Sequence, residues 1–230
     1  MSNELITANP IDYEDMLKSG MHFGRKRTVF NPKMSKYVFT IRNGICIIDL
    51  LKTKTQIDDS IQFLKETMTA GGTVLFVGLT KQSSDGVRAL AEAIGQPYVA
   101  NRWIGGCLTN FKVITSRVRK LEEMERQLAT GELDKYTKKE RLMFERQIAK
   151  LKRNFEGLRK LGKLPDVVFV SSLKESALPI NEARIMGVKV VAVANTDANP
   201  EHVEFAIPAN DRSKKSVDMI LDIMKEELKK

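Results

Sequence analysis

Apolar residues fall along this chain in two rhythms. The first is short and nearly continuous: residues 73–77, 98–100, 167–170, 188–194 and 203–207 are runs rich in β-branched side chains, each bounded by turn residues. Continuous apolarity without alternation predicts strands covered on both faces, as in a parallel sheet. Between these runs the spacing turns helical, over 84–94, 176–186 and 213–228. Strand and helix in alternation predict βαβ units and a doubly wound α/β layer. A further amphipathic helix is expected from about 55 to 68, ending at Gly71-Gly72. Ahead of it, the segments 38–41 and 45–48 flank Arg42-Asn43-Gly44, the pattern of a hairpin with an Asn-Gly turn.

The second rhythm occupies residues 110–162. Ile114, Val118, Leu121, Met124 and Leu128 recur at three- and four-residue spacings, and so do Phe144, Ile148, Leu151, Phe155 and Leu158. Both stripes are narrow and flanked by charge, as in a coiled-coil seam. Thr130-Gly131 and the polar residues up to Lys139 separate them, so the two helices are expected to fold back antiparallel. The predicted organisation is a single α/β domain over 1–230, with a basic N-terminal arm and an inserted helical hairpin at 110–162.

Charge sharpens this division. The 230 residues carry 38 Lys and Arg against 29 Asp and Glu, a net +9. Residues 112–163 hold +8 of it and 1–43 hold +3, while 44–111 are neutral and 164–230 carry −2. From Lys18 to Arg42 there are seven cations and no acid. Such a localised excess calls for a polyanion, either nucleic acid or an anionic membrane face. No apolar run approaches the roughly 18 residues needed to cross a bilayer. Met1-Ser2-Asn3-Glu4 lacks the basic start and apolar stretch of a signal peptide, so a cytoplasmic location is expected. Two cysteines, Cys46 and Cys107, are too few for a disulfide scaffold.

Catalytic patterns are weak. The turn from Gly78 to Ser84 leads from a strand into a helix, where α/β sheets bind ligands, and Ser83 or Ser84 suits the helix cap. It has neither G-x-G-x-x-G nor a glycine before a Lys-Ser or Lys-Thr pair, so a nucleotide-binding module or enzyme using this turn is the alternative reading. His22 and His202 are the only histidines, which excludes a His-rich metal site. Asp197, Glu201, Glu204 and Asp211 cluster late in the chain, but their spacing matches no ligand loop. Cys107 sits in a glycine-flanked loop without any nucleophile motif. No catalytic residue, metal site or cofactor is expected.

Nucleic-acid signals are stronger. His22-Phe23-Gly24-Arg25-Lys26-Arg27, then Phe30-Asn31-Pro32-Lys33-Met34 and Lys36-Tyr37, interleave cations with aromatics and read as a loop lying along RNA. Seven cations without an acid would repel one another unless something anionic sat beside them. In 101–110, Arg102 adjoins the only tryptophan, Trp103, before a Gly-Gly turn and Thr109 or Asn110 as the cap of the first long helix. The tryptophan suits either stacking on bases or burial under the hairpin root, with Arg102 free to reach phosphate in both cases. The RNA-contact set read from the sequence is Arg25, Lys26, Arg27, Lys33, Lys36, Arg102, Trp103, Lys112, Arg117, Lys120, Lys150, Lys152 and Arg153. A hairpin whose charge serves membrane or partner docking is a third class of reading.

Across nearly its whole length the chain resembles the bacterial S-two family of the small ribosomal subunit. The resemblance rests on His22-Phe23-Gly24, Asn31-Pro32-Lys33-Met34, Phe76-Val77-Gly78, the block from Asn101 to Asn110, Thr137-Lys138-Lys139-Glu140, Leu164-Pro165-Asp166, Lys174-Glu175 and Ile207-Pro208-Ala209-Asn210-Asp211. It implies a flavodoxin-like doubly wound parallel sheet with a protruding antiparallel coiled-coil hairpin. It also implies a structural, non-enzymatic role in translation, binding small-subunit ribosomal RNA between head and body, joining late in assembly, and docking the messenger-binding S-one protein among neighbouring ribosomal proteins. Neither a membrane nor a homo-oligomer is called for. Some relatives hold a divalent metal on late acidic loops. Here Asn195, Arg212 and Arg25 stand where acids or histidine are usual, and Ser171-Ser172 follow the third parallel strand, so no metal is expected.

Overall fold

A computed structural model describes residues 12–130 and 136–229. Five parallel strands, β4 (Val74–Val77), β5 (Tyr98–Val99), β6 (Val167–Val170), β7 (Lys189–Ala194) and β8 (Phe205–Pro208), form one sheet in the order β5-β4-β6-β7-β8. The order reverses between β4 and β6, as in flavodoxin-like α/β folds.

The unbroken apolar runs follow from burial on both faces. Val74, Phe76, Phe169, Val191, Val193 and Ile207 pack against α2 (Leu50–Thr69), α3 (Ser84–Ile94) and α7 (Lys214–Leu228) through residues such as Ile61, Leu90 and Ile220. The intervening Leu75, Val77, Val168, Val170, Val190 and Ala192 face a second cluster with Ile180 and Ala183 of α6 (Ala177–Met186), Trp103 and Leu108. Alternate residues thus serve opposite cores, and the one charged strand residue, Lys189, stands exposed at the start of β7.

The expected hairpin is present as β2 (Val38–Arg42) and β3 (Ile45–Ile48). Asn43 and Gly44 take φ of 50° and 74°, the paired left-handed residues of a tight hairpin turn. Two expectations are corrected nearby. The stretch after Lys18 is not a loop: β1 (Phe23–Lys26) pairs with β3, making a small antiparallel sheet β1-β3-β2, and short 3-10 turns cover 27–29 and 32–37. α2 begins at Leu50, five residues early, because the Asp49 carboxylate accepts from the Leu51 amide and caps it. A short helix, α1 (Tyr13–Lys18), capped by Asp12, was also not foreseen.

In the stretch at 110–162, α4 (Phe111–Ala129) and α5 (Lys138–Phe155) pack on one another. Ile114, Val118, Leu121 and Met124 of α4 and Ile148 and Phe155 of α5 are buried, whereas Leu128 at the far end is exposed. α5 starts at a capping box in which Thr137 and Glu140 bond each other's backbone amides. The expected turn at Gly131 and the residues after it lies partly outside the described residues.

Candidate nucleic-acid interface

The crevice at the carboxyl edge of the sheet, where this fold class holds ligands, is filled by the chain itself. Ser83 and Ser171 are buried and share a 2.7 Å hydroxyl hydrogen bond across the β4–β6 reversal. Neither Ser83 nor Ser84 caps α3 with its side chain: Ser83 stands at the cap position without a side-chain cap bond, and Ser84 is the first helical residue. Farther along, the Asp211 carboxylate accepts from Ser172 Oγ at 2.7 Å and Asn195 Nδ2 at 2.8 Å. β1 seals this edge. The Arg25 amide donates to Thr196 Oγ1 at 2.8 Å and the Asn31 amide to the Thr196 carbonyl at 2.9 Å. Gly24 passes so close that a Cβ there would stand 2.6 Å from Thr196 Cγ2 and 2.8 Å from the Cys46 carbonyl.

The late carboxylates are likewise engaged. Asp197 accepts from Lys174 at 2.8 Å and pairs with Arg25 Nε at 3.3 Å, Glu201 pairs with Lys33, and Glu204 accepts from the Val190 amide. Among the described residues no group of three or more His, Cys, Asp or Glu side chains could hold a metal. Burial, with a smaller push from the Glu182 carboxylate, raises the Cys107 thiol to about 12, so it stays protonated.

These contacts correct the reading of the basic N-terminal run. Its anions are internal: Arg25 and Lys33 are balanced by Asp197 and Glu201, some 170 residues away, and Lys18 by Glu14 and Asp15. The Lys36 amine lies 4.8 Å from the Tyr37 ring centre. Lys26 and Arg27 are exposed, with no side-chain partner among the described residues.

Of the two readings of the tryptophan, burial holds, against its place in the RNA-contact set. Trp103 is buried, and its indole N–H donates to Glu182 Oε1 at 2.9 Å, so its ring is no platform for a base. Glu182, from the middle of α6, also accepts from the amides of Gly106, Leu108 and Thr109 and from Thr109 Oγ1, at 2.9 to 3.2 Å. Burial alone would raise its pKa, but the donors from Trp103, Leu108, Gly106 and Thr109 prevail and hold the carboxyl below its ordinary value. This isolated glutamate fixes the whole 103–109 segment, and nothing in its sequence neighbourhood announces it. Thr109 is consumed here rather than capping α4, and Asn110 occupies the cap position without a cap bond. Arg102 remains exposed and unpartnered among the described residues.

On α4, Lys112, Arg117 and Lys120 are exposed and have no acidic partner among the described residues. On α5, Lys150 and Arg153 belong to a longer row. Lys139, Arg146, Lys150 and Arg153 lie within about 60° of one another around the helix, because they are spaced by seven, four and three residues. None has a side-chain partner among the described residues, and the row runs about 21 Å at 1.5 Å per residue. Lys152 is the exception among the expected α5 residues: it turns toward α4 and stands 3.8 Å from Glu125, which Arg159 also engages at 2.7 Å. Lys139 and Arg146 were missed, although the seven-residue step from Arg146 to Arg153 marks them in the sequence.

A family model for ribosomal protein S2 matches residues 16–230. The chain belongs to the ribosomal protein S2 family. Among curated relatives, it is 42% identical over 211 residues to small ribosomal subunit protein uS2 of Thermus thermophilus, covering 92% of this chain and 82% of that protein. It is 40% identical to uS2 of Fusobacterium nucleatum, covering 93% and 87%, and 41% identical to uS2 of Mycobacterium leprae, covering 93% and 77%. The S2 family is a structural component of the small ribosomal subunit, not an enzyme, which places this chain in translation and in the cytoplasm. No helix among the described residues is long and apolar enough to cross a membrane.

Proposed function

We propose that this protein is held on small-subunit ribosomal RNA chiefly through the outer faces of α4 and α5, with Arg102, Lys26 and Arg27 as further phosphate contacts. In this reading residues 110–162 form an antiparallel coiled-coil hairpin inserted into a single α/β domain. Neighbouring small-subunit proteins, the S-one protein among them, are its other partners. One observation carries the reading: four cations lie along one exposed face of α5 with no acid to balance them. Like charges so aligned destabilise an isolated helix, and a phosphate backbone relieves that repulsion while releasing its own counterions.

The test is the salt dependence of binding to small-subunit ribosomal RNA. Each phosphate contact contributes roughly 0.7 to 0.9 to the slope of log affinity against log salt. Replacing Lys139, Arg146, Lys150 and Arg153 together by glutamine is expected to lower that slope by about 3, with an unchanged far-ultraviolet circular dichroism spectrum. An unchanged slope in a folded variant would overturn the assignment of this face.

A further inference from the structure

The set of exposed cations includes Arg88, on α3, far from the helix pair in sequence. It shares a cleft of about 400 Å³ with Arg153, Asn101, Asn154 and the half-buried Tyr98. The cleft opens beside β5, an edge strand whose outer side is unpaired in the sheet. Its floor is closed by the 3-10 turn over 156–158, which approaches β5 unusually closely. A Cβ at Gly157 would stand 2.2 Å from the Tyr98 carbonyl oxygen and 2.7 Å from its ring. Only glycine lets this turn reach the strand.

The cleft's acids are already engaged. Glu92 accepts from the Tyr98 hydroxyl at 2.8 Å, and Glu156 pairs with Arg159 at 3.0 Å. By contrast the Arg88 and Arg153 guanidiniums have no hydrogen-bond or ion-pair partner among the described residues. Asn101 donates to the Arg153 carbonyl at 2.8 Å, which ties the strand end to the end of α5. Arg88, Tyr98 and Arg153 thus line one cleft, with the Asn101 and Asn154 amides at hand.

We infer that this cleft takes one unpaired nucleotide of RNA, its base against Tyr98 and its phosphate between Arg88 and Arg153. The inference rests on the proposed RNA role and gives it a second kind of contact. The outer face of α5 offers only charge, which any strand or duplex satisfies, whereas an aromatic pocket needs a base out of its stack. Arg153 belongs to both surfaces, so the cleft would continue the cationic row at its end.

Binding of the full chain is measured against a short single-stranded RNA and a blunt RNA duplex of the same phosphate number. Arg88→Gln and Tyr98→Leu are each expected to weaken single-strand binding about tenfold and duplex binding less than twofold. Tyr98→Phe keeps the ring and is expected to bind the single strand within twofold of the parent. Should Tyr98→Leu fail to fold, Arg88→Gln, on an exposed helix face, carries the test alone. Equal losses on both RNAs, or no loss on either, would overturn the cleft while leaving the α5 face intact. Competition by an Asp-rich peptide but not by the single strand would overturn it in favour of an acidic protein segment. A parent chain that bound neither RNA would overturn both proposals.

Discussion

Replacing Glu182 by glutamine tests how the 103–109 segment is held. Each carboxylate oxygen serves separate donors: Oε1 takes the Trp103 indole and the Gly106 amide, and Oε2 takes the amides of Leu108 and Thr109 and the Thr109 hydroxyl. A glutamine amide retains one acceptor oxygen and points an NH2 group at the other donors. Whichever way it turns, a buried donor is orphaned, either the Trp103 indole or the Leu108 amide. An orphaned buried donor costs about 1–3 kcal/mol, and the bonds that survive lose their charge assistance. Together these predict a loss of about 3–5 kcal/mol, a large share of the roughly 5–15 kcal/mol typical of a domain.

The assay is urea unfolding followed by the fluorescence of Trp103, the only tryptophan and itself bonded to Glu182. The pH dependence supplies an independent check. Because the folded carboxyl titrates below its ordinary 4.5, its contribution is complete above that value and is lost as pH falls through the folded pKa. The gap between parent and variant is therefore expected to narrow below about pH 4.5. A loss under about 1 kcal/mol at pH 7, or a gap that stays constant into acid, would refute the reasoning.

Two further outcomes are expected. Arg25→Gln leaves Asp197, whose side chain is 2% exposed, with Lys174 as its remaining cation, so it should cost about 1–3 kcal/mol of stability while changing RNA affinity less than twofold; a folded, fully stable variant that binds RNA weakly would restore Arg25 as a phosphate contact. Cys107, buried and held protonated by a pKa of about 12, should resist an aromatic disulfide reagent at pH 8 until urea is added, and rapid labelling of the native protein would contradict its burial.

What the sequence revealed and what it hid have physical causes. All four residues of β4, Val74–Val77, and of β6, Val167–Val170, are buried, and two-sided burial writes itself as an unbroken apolar run. Asn43-Gly44 is legible because few residue pairs accept two successive left-handed conformations. β1 is not legible: Phe23 is 46% exposed, and the strand exists because β3 pairs with it. Glu182 is hidden for a related reason. In the sequence it is one acid on a helix, and its five donors arrive from a segment more than seventy residues earlier. In the cationic set, Lys152 and Arg153 are adjacent in sequence, but one turns to Glu125 and the other to solvent, since successive helix residues point about 100° apart.

The net +9 therefore overstates the charge available at the N-terminus and understates its order on α5. Segment counting gave 1–43 a share of +3, yet Arg25 and Lys33 are spent on Asp197 and Glu201 of the slightly acidic last third. Those pairs, with Gly24 against Thr196, hold β1 over the carboxyl end of β7. A fold class that commonly binds ligands at this edge has here traded the opening for an internal joint. Free cations are found instead on exposed helix faces, along α4 and α5, and at the unpaired side of β5. Charge there can meet a large polyanion without disturbing the sheet, because a phosphate backbone follows an exposed helix face and cannot enter a closed crevice.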